Sequence, residues 1–312
     1  MKRKLIVITG ATDRVGAAAA RRLTSDGHHV VLVGRSADRT AALAKELATE
    51  HFLADFTRLS SVRALANRLL AEYPRIDVLA HNVACVGGPA RRLSPDGHEM
   101  TFQVNYLAGF LLTTLLIARL VKSRATVICS SGFANRLGTI DLYDLQSEEH
   151  YSATKVYCSS QLAQILFIRE LYRRYGRGRG IDTAAYHPGS IVPDHFHEAT
   201  SSFRCLYHMS TRHPWAVTPE HGADTLVFLA EGRPEVDFPS GQYFVRRKVA
   251  KPNREAHDRL LAFELWNRAE TMIVDGAESD RDRLRSVVPH SPHARRALAW
   301  QPRNTDESAM FR

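Results

Sequence analysis

The segment Thr9-Gly-Ala-Thr-Asp-Arg-Val-Gly16 follows the apolar run Leu5–Thr9 and leads into a stretch of helical periodicity. A glycine turn between a strand and a helix aims free backbone N–H groups and the positive helix end at one point, which suits a pyrophosphate. The turn carries Gly10, Thr12, Arg14, Val15 and Gly16. Arg14 stands where such turns usually carry a middle glycine, and two readings are open. Its bulk obstructs a dinucleotide, or its guanidinium spans cofactor phosphate and substrate. A second apolar run, His29–Gly34, ends in Gly34-Arg35-Ser36 with no acid. A carboxylate there would accept from the ribose 2′-hydroxyl of NAD, whereas a cation pairs with the 2′-phosphate of NADP. Arg35 and Ser36 therefore point to NADP(H) as cofactor. Asp55, followed by Phe56, is placed to meet an adenine amino group or, equally, to cap the next helix.

Other chemistries find less support. Four cysteines show neither CxxC pairing nor metal-ligand spacing, and read as reduced thiols. Fifteen histidines include no HExxH and no Cys/His array, so no metal site is expected. A net charge of +9 raises the question of nucleic acid, but the basic residues are scattered outside Arg173–Arg179 and Arg246–Lys248. Neither run interleaves with stacking aromatics, and a solvated basic face that attracts anionic substrates is the expectation. The longest apolar run, Gly109–Ala118, is about half of what a bilayer requires. The expectation is a soluble, cytoplasmic protein with neither a membrane nor a nucleic-acid partner.

The elements that must position these residues follow from the alternation of apolar runs with helical periodicity. Strands are expected at Leu5–Thr9, His29–Gly34, His51–Ala54, Ile76–Asn82, Ala125–Ser130, Ile181–His187 and Gly241–Val245. Helices are expected at Val15–Ser25, Arg39–Glu50, Leu59–Glu72, Glu99–Leu120, Tyr157–Tyr175 and Glu220–Ala230. Right-handed crossovers make this a doubly wound parallel sheet, a three-layer α/β/α Rossmann fold with ligand at the carboxyl ends of the strands. One domain over residues 1–275 is expected, with a substrate lid at about 190–220 and a polar tail over 276–312.

Further landmarks in order are Val104-Asn-Tyr-Leu-Ala-Gly109, Val127-Ile-Cys-Ser-Ser131, Asp144–Tyr151, His187-Pro-Gly189 and Ser240–Phe244. With the glycine turn they make the chain resemble the short-chain dehydrogenase/reductase family, closest to its retinol-dehydrogenase-like branch, over about Lys4–Val274. The resemblance implies a tyrosine general acid or base, a serine on the carbonyl oxygen, a lysine on the ribose, and an asparagine supporting a relay water. It assigns the asparagine to Asn105 and the serine to Ser131, with Ser130 as the fallback. Asn82 and Ala84 replace part of the family's NNAG strand, and Gly189 with the Ile191 backbone is placed to meet the cofactor carboxamide. Pro193 stands where a threonine or serine usually binds the cofactor.

Two tyrosines compete for one slot. Tyr151-Ser-Ala-Thr-Lys155 fits the family's YxxxK string, but the branch's register after Asp144 places Tyr157-Cys-Ser-Ser-Gln161 there. The stripe Leu162, Ile165, Leu166 and Leu171 faces the core if the helix begins near Tyr157. Tyr157 is the expected catalytic tyrosine, and the lysine slot then holds Gln161, a degenerate site. The expected activity is NADP(H)-dependent reduction of a carbonyl or related group on an apolar or aromatic small molecule, by a homodimer or homotetramer. The alternatives are a non-redox enzyme (isomerase, cyclase or dehydratase) on the same fold and a non-catalytic NADP-binding protein.

Overall fold

The computed structural model describes residues 2–176, 178–189 and 217–274. The expected lid lies almost wholly, and the tail wholly, outside the described residues. Ile6, Val7 and Ile8 are fully buried, as a strand covered on both faces requires. The strands are β1 (Leu5–Thr9), β2 (His29–Gly34), β3 (His51–Leu53), β4 (Val78–His81), β5 (Thr126–Ser130), β6 (Asp182–His187), β7 (Gln242–Val245) and β8 (Lys248–Val249). They form one sheet in the order β3-β2-β1-β4-β5-β6-β7-β8, parallel up to β7, with β8 antiparallel at the edge. The order reverses between β1 and β4, and a ligand cleft belongs at that switch point.

Helices α1 (Arg14–Ser25) and α2 (Ala37–Leu47) pack on one face. The opposite face takes α3 (Leu59–Glu72), a long α4 (Met100–Ser123) and α5 (Ala153–Tyr175). Helix α6 (Pro219–Glu231) joins the first layer and α7 (Arg259–Val274) the second. The chain is thus the expected three-layer, doubly wound Rossmann fold. Helix α4 is apolar and long enough to cross a membrane, yet 78% of its apolar window is buried inside the fold. An all-round apolar helix is what the middle of a core demands.

Two differences from the sequence expectation have local causes. Helix α5 begins at Ala153, a turn earlier than Tyr157, because the Ser152 hydroxyl accepts from the Lys155 N–H and caps it. Helix α7 went undelimited because charged residues break up its pattern. Its buried residues Leu265, Trp266, Ala269 and Ile273 still share one face, and Trp266 meets Phe110 and Phe167 in the core.

The β1–α1 turn is set by close backbone approach. Gly10 has φ +64°, and a Cβ on Gly16 would lie 2.3 Å from the Gly10 carbonyl oxygen. No flexible side chain is there to yield, so the backbone itself must shift. Gly16→Ala is expected to lower unfolding free energy by about 1–3 kcal/mol, read from the urea midpoint at unchanged slope.

Candidate active site

At the carboxyl ends of the central strands lies a cleft of about 350 Å³, bounded by the glycine turn, the end of β2 and the segments after β3 and β4. Asn82 holds it together. Its Nδ2 donates to the Gly10 carbonyl at 3.4 Å, and its Oδ1 accepts from the Tyr186 hydroxyl at 2.8 Å. Gly10, Thr12, Arg35, Ser36, Asp55, Phe56, Asn82 and Ala84, all expected at a cofactor, line this one cleft. Val15 and Gly16 are buried beneath the turn, and Val15 packs among core residues. Arg14 is exposed as the first residue of α1, and its N–H donates to the Asp13 carboxylate at 2.9 Å. A carboxylate thus stands at the positive end of α1, which the sequence reading did not foresee.

The β2 end carries two cations. Arg35 lines the cleft together with Arg39, whose guanidinium donates to the Thr12 carbonyl at 2.6 Å. Arg39 was passed over in sequence because it sits inside a helical pattern. The first turn of α2 folds it back across the cleft. Ser36 accepts from the Arg39 N–H and caps α2. Of the two readings of Asp55, the helix cap is not realised. Its Oδ1 accepts from the Thr57 N–H and hydroxyl at 3.0 and 2.8 Å, while Asp96 takes the Leu59 N–H of α3. Close-approaching backbone, two cations and no acid at the β2 end are a donor set that fits a phosphorylated dinucleotide.

Tyr157 and Gln161 are one turn apart on α5, and both approach Gly132. A Cβ built on Gly132 would lie 3.9 Å from the Tyr157 hydroxyl and 3.3 Å from Gln161 Oε1. Ser131 faces differently. Its hydroxyl donates to the Gln161 backbone carbonyl at 2.9 Å, so its single proton is engaged in joining β5 to α5. The residue beside the phenol is Gly132, which the sequence reading did not single out. Tyr151 itself lines the cleft, its hydroxyl donating to the Gly88 carbonyl at 3.0 Å, whereas Tyr157 and Gln161 do not line it; Lys155 is exposed. Burial pushes the Tyr157 phenol well above its ordinary range, and burial likewise lifts Tyr151 to about 12.

Asn105 lies in a π-helical turn, Gln103–Leu107, that opens α4. Its side chain exchanges hydrogen bonds with both backbone groups of Cys85, at 2.7 and 3.0 Å, and donates to Ser160 Oγ at 2.9 Å. The Asn105 carbonyl accepts from the Gln164 side-chain amide. Gln164, a further residue absent from the sequence reading, thus occupies the main-chain carbonyl of the residue that the family resemblance makes the support of a relay water. Gly189 follows β6 at φ +96°, with its Cβ position 2.2 Å from Val217 Cγ2. Ile191 and Pro193 lie outside the described residues.

A phosphate cradle at the switch point of a doubly wound sheet, with a phenol beyond it, defines the class of dinucleotide-dependent oxidoreductases. The chain matches the short chain dehydrogenase family over residues 4–202. It is 36% identical over 283 residues, 88% of this chain and 94% of the relative, to a Streptomyces sp. (strain C5) protein named for daunorubicin C-13 ketoreduction. Human retinol dehydrogenase 12 is 35% identical over 274 residues, 85% of this chain and 84% of its own. A solved structure of an uncharacterised Mycobacterium paratuberculosis protein superposes with TM-score 0.71 at 28% identity, covering 86% of this chain and 93% of that one. The chain belongs to the short-chain dehydrogenase family, on its retinol-dehydrogenase-like branch.

Two histidines, His81 buried and His187 half-buried, lie at the carboxyl ends of the neighbouring strands. His81 ends β4 with Nε2 2.8 Å from Thr113 Oγ1, and His187 ends β6. Burial lowers both to about 4, and a hydrogen bond from the His187 ring to the Ser131 backbone carbonyl partly offsets this at His187. A histidine depressed from an unfolded value of about 6.5 contributes stability that is complete above that pH and lost as pH falls toward 4. Urea unfolding should therefore weaken from pH 7 to 4.5 by up to about 3 kcal/mol per histidine, and His81→Asn should flatten the slope.

Proposed function

We propose that this chain is an NADP(H)-dependent reductase of a ketone or related carbonyl on a small apolar or aromatic molecule, working in the cytoplasm. The observation that carries the reading is the half-buried Tyr157 phenol facing Gly132, beyond a cleft whose adenosine end is basic. The groups assigned to NADP(H) are Gly10, Thr12, the α1 N-terminus, Arg35, Arg39 and Ser36. When bound, the reduced nicotinamide supplies a hydride. Tyr157 donates its proton to the carbonyl oxygen as the carbonyl carbon is reduced, and water restores that proton to the phenolate. Asn105 is a positioning residue here, holding the Cys85 segment against α4 and α5.

The electrostatics support reduction over oxidation. An ammonium ~5 Å from the phenol would be worth about 3 kcal/mol at an effective dielectric of ~20, or about two pKa units. Gln161 supplies no such charge. Desolvation, with smaller contributions from Cys158, Cys85 and Asp13, then keeps the phenol protonated, which suits a proton donor and disfavours the phenolate that alcohol oxidation requires. A second reading, a non-redox isomerase, cyclase or dehydratase, has its own support in the Gln164 amide that takes the Asn105 carbonyl.

Loss of NADPH absorbance with a panel of ketones tests the reading. Tyr157→Phe should cut turnover by about 10²-fold or more, with Tyr151→Phe near wild type. Substrate rearrangement without NADPH consumption would favour the second reading instead. Arg35→Ala should weaken NADP+ binding by about tenfold or more, as expected for a lost charge-assisted hydrogen bond, and leave NAD+ binding unchanged.

A further inference from the structure

Tyr186 is a fully buried phenol that the proposed reaction does not use. It stands on β6, on the sheet face covered by α1. Strand register explains its reach. Ser130 of β5 pairs with Tyr186, and Cys129 pairs with His81. Asn82, Ser130 and Tyr186 therefore stand side by side at the carboxyl ends of β4, β5 and β6. Asn82 and Tyr186 are two strand spacings apart, about 9.6 Å. A long side chain with a donor at its tip bridges that gap, and the Tyr186 hydroxyl donates to Asn82 Oδ1 at 2.8 Å.

This bond decides which way round the Asn82 amide sits. The Gly10 carbonyl can only accept, so the amide nitrogen must face it, as it does at 3.4 Å. Oδ1 then turns to β6, where a buried acceptor requires a donor. Among the described residues, Tyr186 is the donor that meets it. A reversed amide would set oxygen against oxygen at Gly10. The backbone of Asn82 is held independently. Its N–H donates to Thr9 Oγ1 at 3.3 Å, and a Cβ on Gly10 would lie 2.9 Å from the Asn82 carbonyl oxygen. The side-chain amide is the part left to turn. Burial holds the Tyr186 phenol above its ordinary range and keeps its proton in place, with Ser130 facing the same oxygen and acting in the opposite sense.

The Gly10 carbonyl is where the effect reaches the cleft. It also accepts the Asp13 N–H at 3.1 Å, the bond that closes the turn into α1. We propose that Tyr186, which does not line the cleft, is a positioning residue for the cofactor: it fixes the Asn82 amide, and through the Gly10 carbonyl it fixes the turn that presents the α1 N-terminus to the pyrophosphate. This inference rests on the dinucleotide reading of the cleft and adds a buried residue on β6 to what sets its affinity.

The test measures binding of NADP+ and NAD+ by calorimetry, with adenosine 2′-monophosphate as a probe that lacks the pyrophosphate. Tyr186→Phe keeps the ring and removes the donor. It should weaken both dinucleotides by the same factor, about threefold to tenfold, and leave the monophosphate unchanged. Asn82→Ala should weaken them at least as much, and Tyr186→Phe should add nothing in that background. With any ketone that the wild type reduces, KM for NADPH should rise with Kd while kcat stays within about twofold. Unchanged dinucleotide binding by Tyr186→Phe overturns the inference and leaves the cofactor reading standing. Equal loss for all three ligands, or an undiminished further loss in the Asn82→Ala background, also overturns it, because the phenol then acts on the fold and not through Asn82. A preference for NAD+ with the same loss in Tyr186→Phe upholds the inference and overturns the NADP(H) reading. A wild type that binds neither dinucleotide overturns both.

Discussion

One hydroxyl proton, donated by Ser131 to the Gln161 carbonyl, ties the end of β5 to the middle of α5. Both groups are buried, so leaving the Ser131 hydroxyl unpaired would carry a desolvation cost of about 1–3 kcal/mol. The bond fixes how α5 is rotated against the sheet, and with it which residues face the reacting end. Tyr157 and Gln161 converge on Gly132 in that rotation, while Tyr151 ends against Gly88 and Lys155 in solvent. Asn105 reinforces it from α4 through Ser160, and Gln164 does so through the Asn105 carbonyl.

The two ends of the cleft differ in how closely they keep to the family pattern. Toward β2 the arrangement is ordinary for a dinucleotide: tight glycine turn, Asn82 bracing Gly10, and Arg35 with Arg39 lining the cleft after the strand. Beyond the turn, three charged or hydroxyl-bearing roles pass to quieter groups. Gln161 lies one turn beyond Tyr157, the Ser131 hydroxyl turns into α5, and the Gln164 amide meets the Asn105 carbonyl. A half-buried phenol held above its ordinary range is a proton donor before it is a base. The polarity of the site then depends more on what the substrate brings with it.

Most of the architecture was legible in the chain because strand and helix periods are local. The run of Ile6, Val7 and Ile8 reads as a doubly covered strand before any partner is known, and the glycine turn after it fixes where a phosphate can lie. Charge at the β2 end is equally local, since Arg35 and Ser36 follow the strand directly. The one-turn spacing of Tyr157 and Gln161 belongs to the same category. Helix α7 and the start of α5 were less legible, the first because charges interrupt its stripe, the second because one serine cap moved it a turn. What only the tertiary structure decided was direction across the space between elements. The sequence names two serines after β5 but not that Ser131 turns into α5, nor that Gly132 is what the phenol meets. It also hides Arg39 and Gln164 within ordinary helical patterns. Those outcomes depend on contacts between β5, α4 and α5, residues 20 to 60 positions apart in sequence. Local periodicity carries no information about that rotation, which is set when buried polar groups on packed elements find their partners.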